Sequence, residues 1–386
     1  MENQNITPWN VEVMSTGESP VGIDYGKVIN QFGCEELSNA LVDRLEALTG
    51  KPAHYFFRRG IVFAHRDFGL LLKQVADGKP FYLYTGRGPS SKAMHIGHAI
   101  PLLLCKYLQD TFRIKLVIQM TDDEKFLWKG MKMEDVIYYA RENIKDIIAF
   151  GFDPDLTYIF TNIESSHHFE QNVLKISRSI NLNEAFKVFG FDMSSSIGQI
   201  GFPPKEIAPC FASSFKFIEN NSMCLIPAAV DQDPYFRLAR DKARVLGEMK
   251  PSSIYVSLLP DLKGVNKKMS ASDQNSSISL DDTPENIRKK ITTYAYSGGR
   301  KTMKEHKEMG GDISVDVPFE YLRYFLQEDD ELEAYRSGYL SGNISSRDMK
   351  EKCISVIQKF VAEYQSSRQA VDDKEMQRFM DINKFE

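Results

Sequence analysis

Residues 81–98, FYLYTGRGPSSKAMHIGH, decide how this chain is read. The run 81–84 is short, aromatic and apolar, the composition of a buried strand. It breaks at Gly86-Arg87-Gly88-Pro89, where two glycines let backbone approach a ligand that a Cβ would keep away. Ser90 and Ser91 are placed to cap a following helix, and His95 and His98, three residues apart, project from one side of its first turn. Unsatisfied N–H groups and the positive end of the helix dipole make such a turn a phosphate site, and Gly97 leaves room for a flat base against the backbone. An isolated H-x-x-H pair is more often a cap or a surface feature. The strand and glycine turn in front of this one reverse that reading.

The same texture repeats downstream in KLVIQM (115–120), TYIF (157–160), MCLIPAAV (223–230) and SIYVSLL (253–259), each followed by a polar turn and a helical stretch. Five strands alternating with helices predict a parallel sheet with right-handed crossovers, hence a Rossmann-like, doubly wound α/β domain over residues 81–281. Ligands bind at the carboxyl ends of strands in that architecture. The polar clusters fall there: the glycine turn with its histidines, TDDEK (121–125), DQDPYFR (231–237) and KGVNKKMSAS (263–272). Lys267 and Lys268 sit among glycine, serine and asparagine, which reads as a mobile loop. A lysine loop is usually solvated surface, but an ammonium brought to a triphosphate as charge develops stabilises the transition state more than the ground state.

On either side of this domain the pattern changes. Residues 1–80 form an extension: a polar stretch with turn formers ending in TGESP, then Leu37, Leu41, Leu45 and Leu48 at helical spacing before Gly50. Residues 282–386 read as amphipathic helices, a C-terminal all-helical domain. A chain of 386 residues has room for two domains with a core each. Its net charge of -5 argues against general polyanion binding, so RNA contact needs a local basic patch such as Arg288, Lys289, Lys290, Arg300 and Lys301. Five scattered cysteines without C-x-x-C spacing read as reduced thiols. The N-terminus has neither a signal-peptide nor a transit-peptide pattern, and no apolar run reaches membrane-spanning length, so a cytoplasmic location is expected. No His, Cys or carboxylate cluster has the spacing of a metal site.

PSSKAMHIGH resembles the HIGH signature of class I aminoacyl-tRNA synthetases, and KMSAS resembles their KMSKS loop; order and separation match as well. YTGRGPSSKAMHIGH, IQMTDDEKFLWK, DQDPYFRLARD, KMSASDQNSSI and YSGGR are similar to the eukaryotic cytoplasmic tryptophanyl-tRNA synthetases over nearly the whole chain. IDYGKVINQFG and HYFFRRGIVFAHRD resemble that group's N-terminal extension.

The resemblance implies an enzyme that activates L-tryptophan with ATP and Mg²⁺, the metal arriving with ATP and no cofactor tightly bound, and then loads tRNA(Trp). It implies a homodimer. His95 and His98 would hold ATP phosphates over Gly97, with Gly86, Arg87, Gly88 and Pro89 seating the nucleotide, while Lys268, Met269 and Ser270 would face the leaving pyrophosphate. Tyr84 and Gln119 would bond the indole N–H, and Glu124 and Gln232 would hold the amino and carboxylate end, Gln232 also bordering ATP. Glu206 falls where relatives carry a glutamine that contacts the amino group, and Ala271 replaces the second lysine of KMSKS. Arg300 is the residue put forward for the anticodon. Three other readings stay open at this point: a tyrosyl-tRNA synthetase, a small H-x-G-H nucleotidyltransferase, and a catalytically silent RNA-binding paralogue.

Overall fold

The computed structural model describes residues 4–6, 11–13, 22–270, 273 and 275–385. Strands are numbered in chain order: β1 (Gln4–Ile6), β2 (Val11–Val13), β3 (Glu35–Glu36), β4 (Val62–Arg66), β5 (Phe81–Arg87), β6 (Leu116–Met120), β7 (Thr157–Thr161), β8 (Met223–Ala229), β9 (Ser252–Val256), β10 (Pro260–Asp261) and β11 (Gly264–Lys268).

The main sheet runs β3-β4-β9-β8-β5-β6-β7. Its five strands β5 to β9 are mutually parallel and are the five runs read from the sequence. All residues of β6, β7 and β9 are buried, as expected for strands covered on both faces by crossover helices. From β5 the chain moves outward to β6 and β7, then returns to place β8 on the other side of β5. That reversal opens a crevice at the carboxyl ends of β5 and β8.

Four features differ from the reading above. First, β5 does not break at Gly86: it stays paired through Gly86↔Gln119 and Arg87↔Met120, so the turn begins at Gly88. A glycine without side chain still offers its N–H and C=O to a ladder, which is why composition alone misplaces the end. Second, Ser90 and Ser91 do not cap the helix. Lys92-Ala93-Met94 intervene, His95 is the N-cap of helix Ile96–Phe112, and Ser91 instead donates to Ala93 O at 2.8 Å. Third, the stretch before the KMSAS motif is not simply a loop. Lys267 and Lys268 end β11, which pairs with β10 and, through Lys267↔Glu12, with β2 of the N-terminal hairpin, giving a second sheet β1-β2-β11-β10. Its partner is some 250 residues away in sequence, beyond the reach of local patterning. Ala271 and Ser272 lie outside the described residues.

Fourth, the segments flanking the catalytic part are built into it. β4 pairs antiparallel with β9 and β3 with β4, so the extension supplies one edge of the main sheet. The C-terminal part is helical, including Val317–Phe325 and the 24-residue helix Ser346–Gln369. Its Tyr321, Leu322, Ile354 and Ile357 belong to the same contiguous apolar cluster as Leu83, Ile100 and Ile118. One core therefore runs from sheet to helical part, where separate cores were expected. Each fully buried aliphatic side chain in it contributes roughly 1.5–3 kcal/mol, so the two parts stabilise one another. All five cysteines are free thiols.

Candidate active site

A cavity of about 550 Å³ opens at the carboxyl ends of β5 and β8. Its wall brings together Gly86, Arg87, Gly88, His95, Gly97, His98, Glu124, Glu206, Gln232, Lys268, Met269 and Ser270, residues spread over 184 positions of sequence. Pro89 is buried behind the turn and is not on the wall, and Arg300 lies outside the cavity, its Nε donating to Gly310 O at 2.8 Å.

At one end the groups suit a polyanion. The His95 and His98 rings stack with centroids 3.5 Å apart and planes at 22°. Two imidazolium rings could not stack so closely, and the surroundings keep both neutral. Burial, then the charges of Arg87 and Lys268, push His95 down to about 3, and burial followed by Arg87 holds His98 well below the usual histidine range. The Arg87 Nη1 lies 3.1 Å from His98 Nε2. Arginine has no lone pair to offer, so this contact forms only when Nε2 is unprotonated, which puts the ring proton on Nδ1. The His95 N–H, 3.3 Å from that same Nδ1, then has no lone pair to meet; the charge-assisted contact is the stronger of the two. Arg87 is itself held by Asn143, whose Oδ1 accepts from Nε at 3.2 Å while its Nδ2 donates to Ser91 O and Lys92 O, both at 3.0 Å. One buried asparagine thus pins the whole turn. Lys268 Nζ pairs with Asp231 Oδ2 at 2.6 Å. A Cβ on Gly88 would stand 2.2 Å from Lys125 Cε, so a larger residue there would require the Lys125 side chain to move.

The other end is aromatic, walled by Trp128, Phe202, Tyr235 and Phe236 and floored by acids. Glu124 accepts from Lys125 Nζ at 2.8 Å and from Thr121 Oγ at 3.0 Å. Tyr84 and Gln119 are fully buried just beneath this end and do not reach the wall. The Tyr84 hydroxyl has two acceptors in range, Gln119 Oε1 at 2.6 Å and Glu206 O at 2.8 Å, while Gln119 Nε2 donates to Asn162 Oδ1 at 2.7 Å. Gln119 Oε1 keeps a second lone pair for an incoming N–H.

Buried polar atoms in folded proteins are nearly always hydrogen-bonded. Of the eight buried side-chain atoms without a partner among the described residues, five belong to this cavity: Arg87 Nη2, His95 Nδ1, Glu206 Oε2, Asp231 Oδ1 and Tyr235 Oη. Their concentration marks a site that a polar ligand completes. Asp231, Tyr235 and Asn143 were not singled out from the sequence. The first two lie in the quoted DQDPYFR cluster at the carboxyl end of β8, where position in the fold was the available signal; nothing local distinguishes Asn143 from other helical asparagines.

Residues 76–362 match the family described as tRNA synthetases class I (W and Y), well over half of the chain. The chain belongs to the class I tRNA synthetases. Over 385 residues it is 73% identical to a tryptophan–tRNA ligase of Encephalitozoon cuniculi, with 100% of both sequences covered. It is 46% identical over 390 residues to the human cytoplasmic tryptophan–tRNA ligase, covering 100% of this chain and 82% of the human one. Among solved synthetases, the E. cuniculi tryptophanyl-tRNA synthetase crystallised with tryptophan is similar at a TM-score of 0.90 and 72% identity, over 95% of this chain and 99% of that one.

Proposed function

We infer that this synthetase is a tryptophan–tRNA ligase, and that the cavity between β5 and β8 is where it activates the amino acid. The observation that carries the reading is the convergence of His95, His98 and Lys268 at one end of a single cavity with an aromatic, acid-floored compartment at the other. The carboxylate of tryptophan attacks the α-phosphate of Mg–ATP in line; a new P–O bond forms as the bond to pyrophosphate breaks, giving tryptophanyl-adenylate. A hydroxyl of the terminal ribose of tRNA then takes the tryptophanyl group and AMP leaves. Neither step needs a protein nucleophile, so positioning and charge stabilisation do the catalysis.

In this reading neutral His95 donates to a phosphate oxygen, His98 holds Arg87 through Nε2, and Arg87 presents its unpartnered Nη2 beside them. Lys268 leaves Asp231 for the β- and γ-phosphates as charge builds on the departing pyrophosphate. The indole lies among Trp128, Phe202 and Phe236, with its N–H toward Tyr84 and Gln119 after a small adjustment of that pair. A site built around such a bond rejects an analogue lacking the N–H by about 10⁴ to 10⁵. Mg²⁺ enters as part of the nucleotide substrate. The helical part carrying Arg288 and Arg300 meets the anticodon, the working form is a homodimer, and the cytoplasm is its compartment, in line with the relatives named cytoplasmic. The exposed Leu174, Leu182, Met193 and Ile197 between β7 and β8 are apolar surface that a second copy would cover.

Amino-acid-dependent ATP–pyrophosphate exchange, run with each amino acid in turn, tests the core of this reading. Exchange with tryptophan alone is the expected result. Exchange with tyrosine instead would overturn the assignment of the aromatic compartment, and none at all from folded protein would overturn the activity.

A further inference from the structure

Glu206 is an unusual residue to find where it stands. It lies on the short helix Pro203–Ile207, is 7% exposed, and its Oε2 is buried with no hydrogen-bond partner. Its Oε1 sits over the end of β5, where a Cβ on Gly86 would lie 3.7 Å from it and 3.8 Å from the Tyr84 hydroxyl. Among the described residues no cation is paired with it: Lys125 is bonded to Glu124, and Lys205 on its own helix points to Asp123 at 3.4 Å. A second carboxylate, Glu124, lines the same compartment. An ionised carboxylate in that position would be buried, unpaired and close to like charge, each of which opposes ionisation.

We propose that Glu206 carries a proton before substrate binds and surrenders it to solvent when the α-ammonium of tryptophan arrives, so that amino-acid binding and proton release are one event. The proposal rests on the amino-acid reading of the cavity. Its balance is simple: a neutral carboxylic acid and an ammonium become a carboxylate–ammonium pair and one free proton. The ammonium supplies what the protein leaves out, a positive charge and N–H donors for Oε2. The groups facing the carboxyl agree with this. Burial, then the charges of Glu124 and Asp123, raise Glu206 to about 8, with Lys125 opposing. Tyr84, Tyr235 and Cys210, from β5, the helix Asp233–Leu246 and the chain just beyond Glu206, are all raised by burial first and stay neutral, so none of them supplies the missing charge. Tyr235, whose buried hydroxyl is also unpartnered, is placed to complete the same cup.

The coupling separates substrates by their amino group. An ammonium-bearing ligand has to expel the proton; a ligand with a carboxylate and no ammonium gains from leaving it in place. The test is calorimetric titration of the full-length protein with L-tryptophan at pH 7 in buffers of different ionisation enthalpy, which counts protons released. Release approaching one proton is expected, with the Kd for tryptophan falling by up to about tenfold per pH unit as pH rises toward 8. Tryptamine should release a proton as well, and indole-3-propionate none. Glu206→Gln should bind tryptophan with no proton release and a flat pH profile. Tryptophan binding without proton exchange in the wild-type protein would overturn the proposal, as would equal release by indole-3-propionate; both need no variant, so a misfolded Glu206→Gln would not hide the answer. Tryptophan failing to bind would instead overturn the functional reading, and this inference with it.

Discussion

The two ends of the cavity solve the problem of holding charge without substrate in different ways. At the phosphate end, charged groups are parked on partners: Lys268 on Asp231 at 2.6 Å, Arg87 between Asn143 and His98. In the proposed function an incoming triphosphate would exchange one set of ionic contacts for another, with no change of protonation required. At the amino-acid end, Glu206 has no such partner and the surroundings suppress its charge instead. Parking keeps a cation ready at the cost of competing with the substrate. Suppression avoids competition but ties binding to pH. The comparison predicts that damage to the first end shows in rate, and damage to the second in proton linkage and stability.

The largest effect should come from Lys268→Ala. Without its ammonium the departing pyrophosphate loses a contact that strengthens as charge develops, so ATP–pyrophosphate exchange should fall by about 10² to 10³, while tryptophan binding measured without ATP changes little. An equal loss in both would mean that Lys268 supports the cavity as a whole and that the two ends are not separable.

Next is the pH dependence of stability at the other end. Glu206 moves from an ordinary value of 4.5 to about 8 on folding, so between those values the folded protein keeps a proton that the unfolded chain has lost. Stability contributed by this group is therefore present at low pH and declines as pH rises through that window. Glu206→Gln should remove the decline, making the variant more stable than wild type at pH 8 by on the order of a few kcal/mol relative to the comparison at pH 5. Chemical denaturation at the two pH values reads this out; a constant difference between variant and wild type would show that Glu206 is ionised at both, and would erase the contrast between the ends.

Asn143→Ala should cost less, about 1–3 kcal/mol of stability from the buried groups it leaves unpaired, and it should raise the KM for ATP more than that for tryptophan. The same shift in both KM values would show that Asn143 supports the fold and not the nucleotide turn in particular.

These assignments were not equally legible beforehand. His95, His98 and Lys268 could be read because their chemistry is carried by short motifs and because a parallel sheet gathers strand ends in one place. The five parallel strands could be read for the related reason that β6, β7 and β9, buried throughout, each hold a short apolar run. Lys267 in a strand could not, since its partner Glu12 is remote in sequence. Neither could the direct bond between Tyr84 and Gln119: it depends on β5 and β6 lying in parallel register, with Tyr84 opposite Val117 and Gln119 opposite Gly86. Asp231 lies in a cluster that the strand pattern placed at the cleft, but its pairing with Lys268, 37 residues on, appears only in the fold. The two residues that hold Arg87 and Lys268 in place, Asn143 and Asp231, are defined by what they touch, and that information exists only after folding.

The smallest effect belongs to a control outside both ends. Arg288 reaches Glu351 at 2.8 Å across two helices of the C-terminal part, with both side chains about half exposed. Exposed pairs contribute ~0–1 kcal/mol because solvent screens the attraction and holding two long side chains costs entropy. Arg288→Ala should therefore leave ATP–pyrophosphate exchange within about twofold of wild type. Aminoacylation should behave differently: if the helical part meets RNA, removing a cation there weakens phosphate contact, so the KM for tRNA should rise and salt dependence should lessen. A fall in exchange as well would mean that the apolar core shared by Leu83, Tyr321 and Ile354 transmits a change in the helices to the cavity, and the two ends could then no longer be treated as responding only to what binds in them.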